Sequence, residues 1–322
     1  MRRNLLTLAA AMAAAALFST ASQAQSFPDK TVTFIVPFAA GSATDLLARA
    51  LAQAVTLDAK VSVVVDNKPG GNAFIGAQAA ARAKPDGYTV LIATNTTHAA
   101  NEHLFKKLPY DPVKDFEPLT LLGRGGQIML VNPSLGVNTV AEFVKLAKSK
   151  PGKLSFGSGS SSSRIAGELF KQMAGAYIVA IPYRSNPPAV TDLIGGQIDV
   201  MITDMATGLP QVKGGKLKAL GVSTLQRSPL APDVPTISEA GVKGYEMTYW
   251  FAAYAPAGTP APVVARLNEL LVKAAKSSTA ASFYQSTGTE ITTTTPEGLR
   301  KVQADESVKW GKIIQAAGIA PE

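Results

Sequence analysis

Short apolar runs that suit strands alternate with amphipathic stretches that suit helices through the first third of the chain. VTFIV (32–36) precedes DLLARALAQAV (45–55), VSVVV (61–65) precedes AFIGAQAAARA (73–83), and the apolar run YTVLIAT (88–94) follows. This alternation predicts parallel strands joined by crossover helices. Residues 26 to about 123 therefore form one predicted α/β unit.

A second series of the same kind begins at the strand pattern QIMLVNP (127–133). Helical patterns at 139–150, 163–175 and 188–196 alternate with apolar runs at 154–158, 177–183, 198–204 and 217–223. An aromatic strand, YEMTYWFAAYAP (245–256), comes next, and two helical patterns at 261–278 and 296–318 close the chain. Two α/β series with a helical tail predict two lobes, and ligands of such sheets bind beyond the carboxyl ends of the strands.

The first residues predict a secretory signal peptide over 1–24. Arg2 and Arg3 precede an apolar run at 5–18, and Ser-Gln-Ala at 22–24 is a small-residue cleavage sequence. The alternative, a membrane anchor, needs about 20 apolar residues, more than this run supplies. The chain has no Cys, which excludes disulfides and a lipid anchor on a cysteine. We expect export to the periplasm of a Gram-negative bacterium.

Charge and motifs exclude several classes of function. The 31 Lys and Arg against 23 Asp and Glu are scattered without interleaved aromatic residues, so we expect no nucleic-acid partner. Neither the phosphate-binding G-x-x-x-x-G-K-[ST] motif nor the G-x-S-x-G motif of hydrolases occurs. His98 and His103, the two histidines, lack the spacing of a zinc motif. We expect no metal, no cofactor and no enzymatic activity.

Five junctions at strand ends carry small or polar residues. VPFAAGSATD (36–45) contains Gly41, through which backbone amides can approach an anion, and Thr44 or Asp45 is the expected N-cap. An ordinary capped turn is the alternative. In the second junction, FGSGSSSSR (156–164), Arg164 adds a cation near a helix start. The others contain Thr94 to Thr97, Tyr183 to Asn186, and Asp204.

The chain resembles, over about 290 residues, the Bug (Bordetella uptake gene) family, the periplasmic solute receptors of tripartite tricarboxylate transporters. The matching motifs include IVPFAAG (35–41), VVVDNKPGGN (63–72), PYDPVKDFEP (109–118), GELFKQMAG (167–175) and PDVPT (232–236). The resemblance implies a type II periplasmic-binding fold, with two α/β lobes, hinge strands and a cleft between the lobes. Residues 25–123 with 251–322 would form one lobe, and 124–250 the other.

The resemblance also implies that the first two junctions close on one carboxylate of a small organic ligand. We therefore take the following as candidate ligand-binding residues: Phe38, Ala40, Gly41, Ser42, Thr44, Asp45, Thr94, Asn95, Ser158, Gly159, Ser160, Ser161, Ser162, Ser163, Arg164, Tyr183, Arg184 and Asp204. Where this chain departs from the family, Arg164 or Arg184 would anchor a second carboxylate. Tyr183 and the aromatic strand at 249–251 would either stack on an aromatic ligand or pack at the hinge.

Three functions remain open at this point. The first is a monomeric receptor that closes like a clamshell on its carboxylate and passes it to the membrane subunits of a tripartite tricarboxylate transporter. The second is a sensor that presents the same ligand to a membrane signalling protein. The third, which the motifs favour least, is an exported hydrolase that uses Asp45 or Asp204.

Overall fold

Nine strands form one mixed sheet in the computed structural model, which describes residues 27–70 and 72–322. The strands are β1 (Val32–Val36), β2 (Val63–Asn67), β3 (Thr89–Thr94), β4 (Phe116–Val131), β5 (Ser155–Ser158), β6 (Val179–Pro182), β7 (Val200–Asp204), β8 (Lys218–Val222) and β9 (Thr248–Pro256). Their order is β2-β1-β3-β9-β4-β7-β5-β6, with β8 beside β4. The predicted signal peptide lies outside the described residues.

Helices follow most of the strands, as the alternating pattern predicts. They are α1 (Ala43–Ala59), α2 (Phe74–Ala81), α3 (Asn101–Leu104), α4 (Val140–Ser149), α5 (Ser161–Ala174), α6 (Asn186–Ile194), α7 (Met205–Lys213), α8 (Ala261–Ala275), α9 (Ser278–Thr287) and α10 (Pro296–Ala316), and a π-helical turn (Thr96–Ala100) precedes α3. β1 is parallel to β2 and β3, and β5 is parallel to β6 and β7. The predicted parallel pairing is confirmed.

Strand β4 connects two parts of the sheet. Its residues up to Gly126 pair with β9, and its residues from Gln127 pair with β7. We call β2-β1-β3-β9 with the first part of β4 the first half-sheet, and the remaining strands with the last part of β4 the second half-sheet. The sequence predicted this strand only from Gln127, because the glycines before it resemble a loop. Gly125 is required there, since a Cβ would lie 2.4 Å from the hydroxyl of Tyr249.

Helices α3, α7 and α9 were not predicted. Helix α7 contains Gly208 and Pro210, residues that normally argue against a helix interior, and it begins at the N-cap Asp204. Helix α9 begins at the N-cap Ser277, only two residues after α8 ends at Ala275. The apolar periodicity of the sequence does not separate these helices from the turns around them.

Core packing fixes α1 and α5 against the sheet. Leu47 and Leu51 of α1 are fully buried in the same cluster as Phe34 of β1. Ile165 of α5 is fully buried in another cluster, which includes Phe156 of β5. Each helix directly follows its strand, so packing brings both helix N-termini to the carboxyl ends of β1 and β5.

Candidate ligand-binding site

A cavity lies where several strands of the two half-sheets end. Its walls are the first turns of α1 and α5, the N-cap residues of α6 and α7, and the end of β3. β4 and β9 contribute Gln127, Tyr249 and Phe251. The predicted junctions from the two series therefore meet at one cavity.

The start of α1 supplies backbone donors to the cavity. Ser42 is the N-cap, and its hydroxyl accepts from the Asp45 amide at 3.3 Å. The expected N-cap, Thr44 or Asp45, is wrong, because Ser42 is the last residue with an extended backbone before the helix. Ser42, Ala43 and Thr44 line the cavity. First-turn amides have no helical acceptor and carry partial positive charge, which favours an anion.

Asp45 and Gly41 shape this turn from outside the cavity. The Asp45 carboxylate accepts from the Gly41 amide at 2.9 Å and pairs with Arg49 and Asn67. Gly41 has φ +79°, and a Cβ added to it would meet nothing within 4 Å. The left-handed backbone at this position favours glycine whether or not a ligand approaches it.

The start of α5 faces the cavity from the second half-sheet. Ser160 and Ser162 line it, and Ser160 forms a capping box with Ser163. Ser161 donates to Asn101 at 2.7 Å, a hydrogen bond between α5 and α3. Gly159 packs so closely that an added Cβ would lie 2.0 Å from the Ser185 carbonyl carbon. This close contact sets α5 beside the start of α6.

Ser185 and Asn186 bring the start of α6 to the same cavity. Asn186 accepts from the Gly159 amide at 3.1 Å and donates to Asp204 at 2.9 Å. Ser185 is the N-cap of α6, but its hydroxyl makes no capping bond. Asp204 caps α7, accepts from the Thr207 amide and lines the cavity.

Four buried polar side chains that line the cavity have an atom without a protein hydrogen-bond partner among the described residues. These atoms are Asn95 Nδ2, Thr96 Oγ1, Gln127 Oε1 and Ser185 Oγ. Each of the four residues is at most 1% exposed. Buried polar groups are normally paired, because leaving one unpaired costs about 1–3 kcal/mol. The cavity is therefore built for a polar ligand.

Aromatic residues form the apolar part of the wall. Phe38 comes from the loop after β1, and Tyr249 and Phe251 come from β9 with their rings 5.1 Å apart. Burial, with a smaller contribution from the charge of Asp204, raises the pKa of Tyr249, so its hydroxyl stays neutral. Trp250 points to the other side of β9 and is 1% exposed, which matches the hinge-packing alternative for this residue.

The cavity brings together only part of the predicted set. It is lined by Phe38, Ser42, Thr44, Thr94, Asn95, Ser160, Ser162 and Asp204. The other candidates lie outside it: Ala40, Gly41, Asp45, Ser158, Gly159, Ser161, Ser163, Arg164, Tyr183 and Arg184. Seven further lining residues were not among the candidates, namely Ala43, Thr96, Gln127, Ser185, Asn186, Tyr249 and Phe251.

The candidate cations and Tyr183 have other environments. Arg164 pairs with Glu322, and Arg184 is exposed. Tyr183 donates to Asp192 at 2.8 Å, and burial together with that carboxylate raises the pKa of Tyr183 to about 12. Within residues 27–70 and 72–322, no Lys, Arg or His lines the cavity. An anion would be held there by amides, hydroxyls and helix N-termini.

The described part of the chain contains no group of three His, Cys, Asp or Glu side chains that could hold a metal ion. None of the helices in that part is both long enough and apolar enough to cross a membrane.

Comparison with known proteins identifies relatives over most of the chain. A family model described as "Tripartite tricarboxylate transporter family receptor" matches residues 47–319. A UPF0065 protein from the tcbD-tcbE intergenic region of Pseudomonas sp. is 33% identical over 97% of this chain and 93% of its own length. Protein BugT of Bordetella pertussis is 31% identical over 92% of this chain and 91% of its own length.

Solved structures match the whole fold. Rpa4515 of R. palustris, solved with adipate, superposes with a TM-score of 0.89 at 34% identity and covers 92% of this chain and 100% of its own. The periplasmic binding protein BugD gives 0.88 at 31% identity over the same shares. MatC of Rhodopseudomonas palustris, with bound malate, gives 0.84 at 29% identity over 89% of this chain and 100% of its own. The predicted type II periplasmic-binding fold is confirmed.

Proposed function

The chain belongs to the tripartite tricarboxylate transporter receptor family, and on this premise we propose that it is a periplasmic receptor for a small organic carboxylate. The observation that carries the proposal is the cavity, where the N-termini of α1 and α5 meet four unpaired buried polar groups. Relatives solved with adipate and malate support a carboxylate as the ligand.

The carboxylate would lie between the first turns of α1 and α5. Ala43 and Thr44 line the cavity at the start of α1 and Ser162 lines it at the start of α5, so their backbone amides are the donors that we propose for the carboxylate. Hydrogen bonds to a charged acceptor contribute about 1.5–3 kcal/mol each. The proposal requires binding alone and assigns no catalytic role to a residue of the wall.

Two mobile lobes are part of the proposal. Residues 25–123 with 251–322 would form one lobe and 124–250 the other. The change of partner along β4, from β9 up to Gly126 to β7 from Gln127, supports a boundary in this stretch. The ligand would then bridge the two lobes, as a closing receptor requires.

The partner and location in this proposal rest on the family. The protein would be exported by its signal peptide, and would deliver the ligand to membrane subunits of a tripartite tricarboxylate transporter. Deleting the gene should abolish uptake of the labelled ligand, and complementation should restore it. Normal uptake with lost ligand-dependent gene expression would instead favour the sensor.

A thermal-shift screen of the purified protein against aliphatic and aromatic carboxylates tests ligand binding. A ligand at 100 times its Kd adds about 2.7 kcal/mol of stability, or roughly 4 °C for a chain of this size. Absence of any shift, repeated after refolding from denaturant to remove a co-purified ligand, would contradict the proposal.

A matched pair of proline variants tests the position of the carboxylate. Ala43→Pro removes the backbone amide of a residue that lines the cavity, at the first position of α1, where proline is well tolerated. We expect affinity to fall about 10- to 150-fold, the equivalent of one charge-assisted hydrogen bond. Ser278→Pro makes the same change at the first position of α9, outside the cavity, and should leave affinity unchanged.

A further inference from the structure

We infer that the ligand carries a single carboxylate and, beyond it, an uncharged polar group that both donates and accepts hydrogen bonds, such as a carboxamide or a hydroxyl. The inference rests on the proposed function, since it concerns the same cavity. It separates this protein from a receptor for dicarboxylates.

Positive charge in the cavity balances one carboxylate. Each helix N-terminus carries about half a unit of positive charge, so the four that reach the cavity, those of α1, α5, α6 and α7, supply about two units. The Asp204 carboxylate in the wall offsets about one of them. Arg164 and Arg184, the cations expected to hold a second carboxylate, lie outside the cavity. Arg164 is already paired with Glu322. Among the described residues, no other cationic side chain lines the cavity, so none is placed to bind a second anion.

Asp204 adds a negative charge to the wall. Its Oδ1 accepts from the amide and the hydroxyl of Thr207 at 2.8 and 2.6 Å. Its Oδ2 accepts from Asn186 at 2.9 Å and from Thr203 at 3.3 Å. The carboxylate is thus occupied by the protein, and its charge would repel a second ligand anion with little intervening water.

The unpaired groups match a neutral partner with both donors and acceptors. Asn95 Oδ1 accepts from the Trp250 amide at 3.4 Å, which directs the unpaired Nδ2 as a donor. Gln127 Oε1 is an unpaired acceptor, and the hydroxyls of Thr96 and Ser185 serve either role. The Gln127 side-chain amide has an acceptor end and a donor end, and a second carboxylate has no donor for the acceptor end. A carboxamide or a hydroxyl can satisfy both kinds of group.

Three acids of equal length separate charge from hydrogen bonding. Succinamate, succinate and 4-methylpentanoate share one carboxylate and differ at the distal end, which is a carboxamide, a carboxylate or an apolar branch. Isothermal titration should give succinamate an affinity about tenfold or more above each of the others. Adipate and its half-amide repeat the comparison at a longer chain length. Equal or tighter binding of the diacids, or of 4-methylpentanoate, would overturn the inference.

Single substitutions test which residues cause the preference for succinamate. Gln127→Met removes an amide without a protein partner, so the fold should persist while succinamate loses its advantage over 4-methylpentanoate. Asp204→Asn keeps an N-cap residue and should narrow the gap between succinamate and succinate. Asp233→Asn removes an exposed charge outside the cavity and should leave that gap unchanged. An unchanged preference in Gln127→Met would overturn the inference.

The failures of the two proposals are distinguishable. A preference for diacids would overturn the single-carboxylate inference and leave the receptor proposal standing. Absence of binding by every acid, in the wild type and in each variant, would overturn the receptor proposal and the inference with it.

Discussion

Replacing Ser185 by alanine separates a residue that serves the ligand from one that serves the fold. Ser185 is the N-cap of α6, yet its hydroxyl makes no hydrogen bond to the helix and has no other partner among the described residues. It is fully buried and lines the cavity. We therefore expect the variant to bind ligand more weakly without losing stability in the ligand-free state.

The expected changes in Kd and in stability follow from what the Ser185 hydroxyl does in the ligand-bound and in the ligand-free protein. In the ligand-bound protein the variant loses one neutral hydrogen bond, about 0.5–1.5 kcal/mol, which raises Kd about 2- to 13-fold. Removing an N-cap side chain usually destabilises a protein by about 0.5–2 kcal/mol. That loss should be absent here, because the Ser185 hydroxyl makes no capping bond. Relief of an unpaired buried group should instead leave the melting temperature unchanged or raise it.

The assay pairs calorimetric titration with thermal unfolding of the ligand-free protein. Ser277→Ala is the matched control, since this N-cap hydroxyl accepts from the Ala280 amide at 3.2 Å and lies outside the cavity. The control should lose about 1 kcal/mol, or about 2 °C, and keep its affinity. If Ser185→Ala instead lowers the melting temperature like the control and leaves Kd unchanged, the reasoning about Ser185 is refuted.

Burial lowers the pKa of His98 to about 3, so unfolding takes up a proton below pH 6.5 and stability falls as pH drops. Between pH 7 and pH 5, the free energy of unfolding should fall by about 2 kcal/mol more in the wild type than in His98→Phe, as chemical denaturation at each pH would measure. Glu306→Gln weakens the partly buried contact with Arg124, and chemical denaturation should show that the free energy of unfolding falls by about 1.5–3 kcal/mol. Arg164→Gln breaks the pair with Glu322, and we expect its Kd for the ligand to exceed that of the wild type by less than about fivefold. Titrations at low and high salt should show that this ratio of Kd values shrinks as salt rises.

The architecture was predictable because the local signals agree with the fold. Stretches with strand periodicity alternate with stretches of helix periodicity along the chain. This alternation predicts the parallel pairing of β1 with β2 and of β5 with β6. The signals failed where long-range contacts decide the structure. Gly125 within β4 resembles a loop residue until the ring of Tyr249 lies across it, and Pro210 within α7 resembles a helix breaker.

The candidate site was predictable as a set of junctions and less so as a set of side chains. Small residues before α1 and α5 indicated the N-termini of these helices from the local sequence alone. Whether a cation reaches the cavity depends on a distant residue, since Arg164 turns to Glu322 at the far end of the chain. Gln127 stands in an apolar run and has no local signal at all.

Energetic balance connects the unpaired groups to closure around the ligand. Two polar contacts join α5 to residues of the other series, Ser161 to Asn101 and Arg164 to Glu322, and contribute about 1 kcal/mol and 0.2–1 kcal/mol. Four unpaired buried groups cost about 1–3 kcal/mol each, which exceeds the gain from these two contacts. Opening the cavity would hydrate these groups in the absence of ligand, and a ligand that satisfies them would favour closure. Small-angle scattering should accordingly give a smaller radius of gyration with ligand than without, and equal radii would contradict this balance.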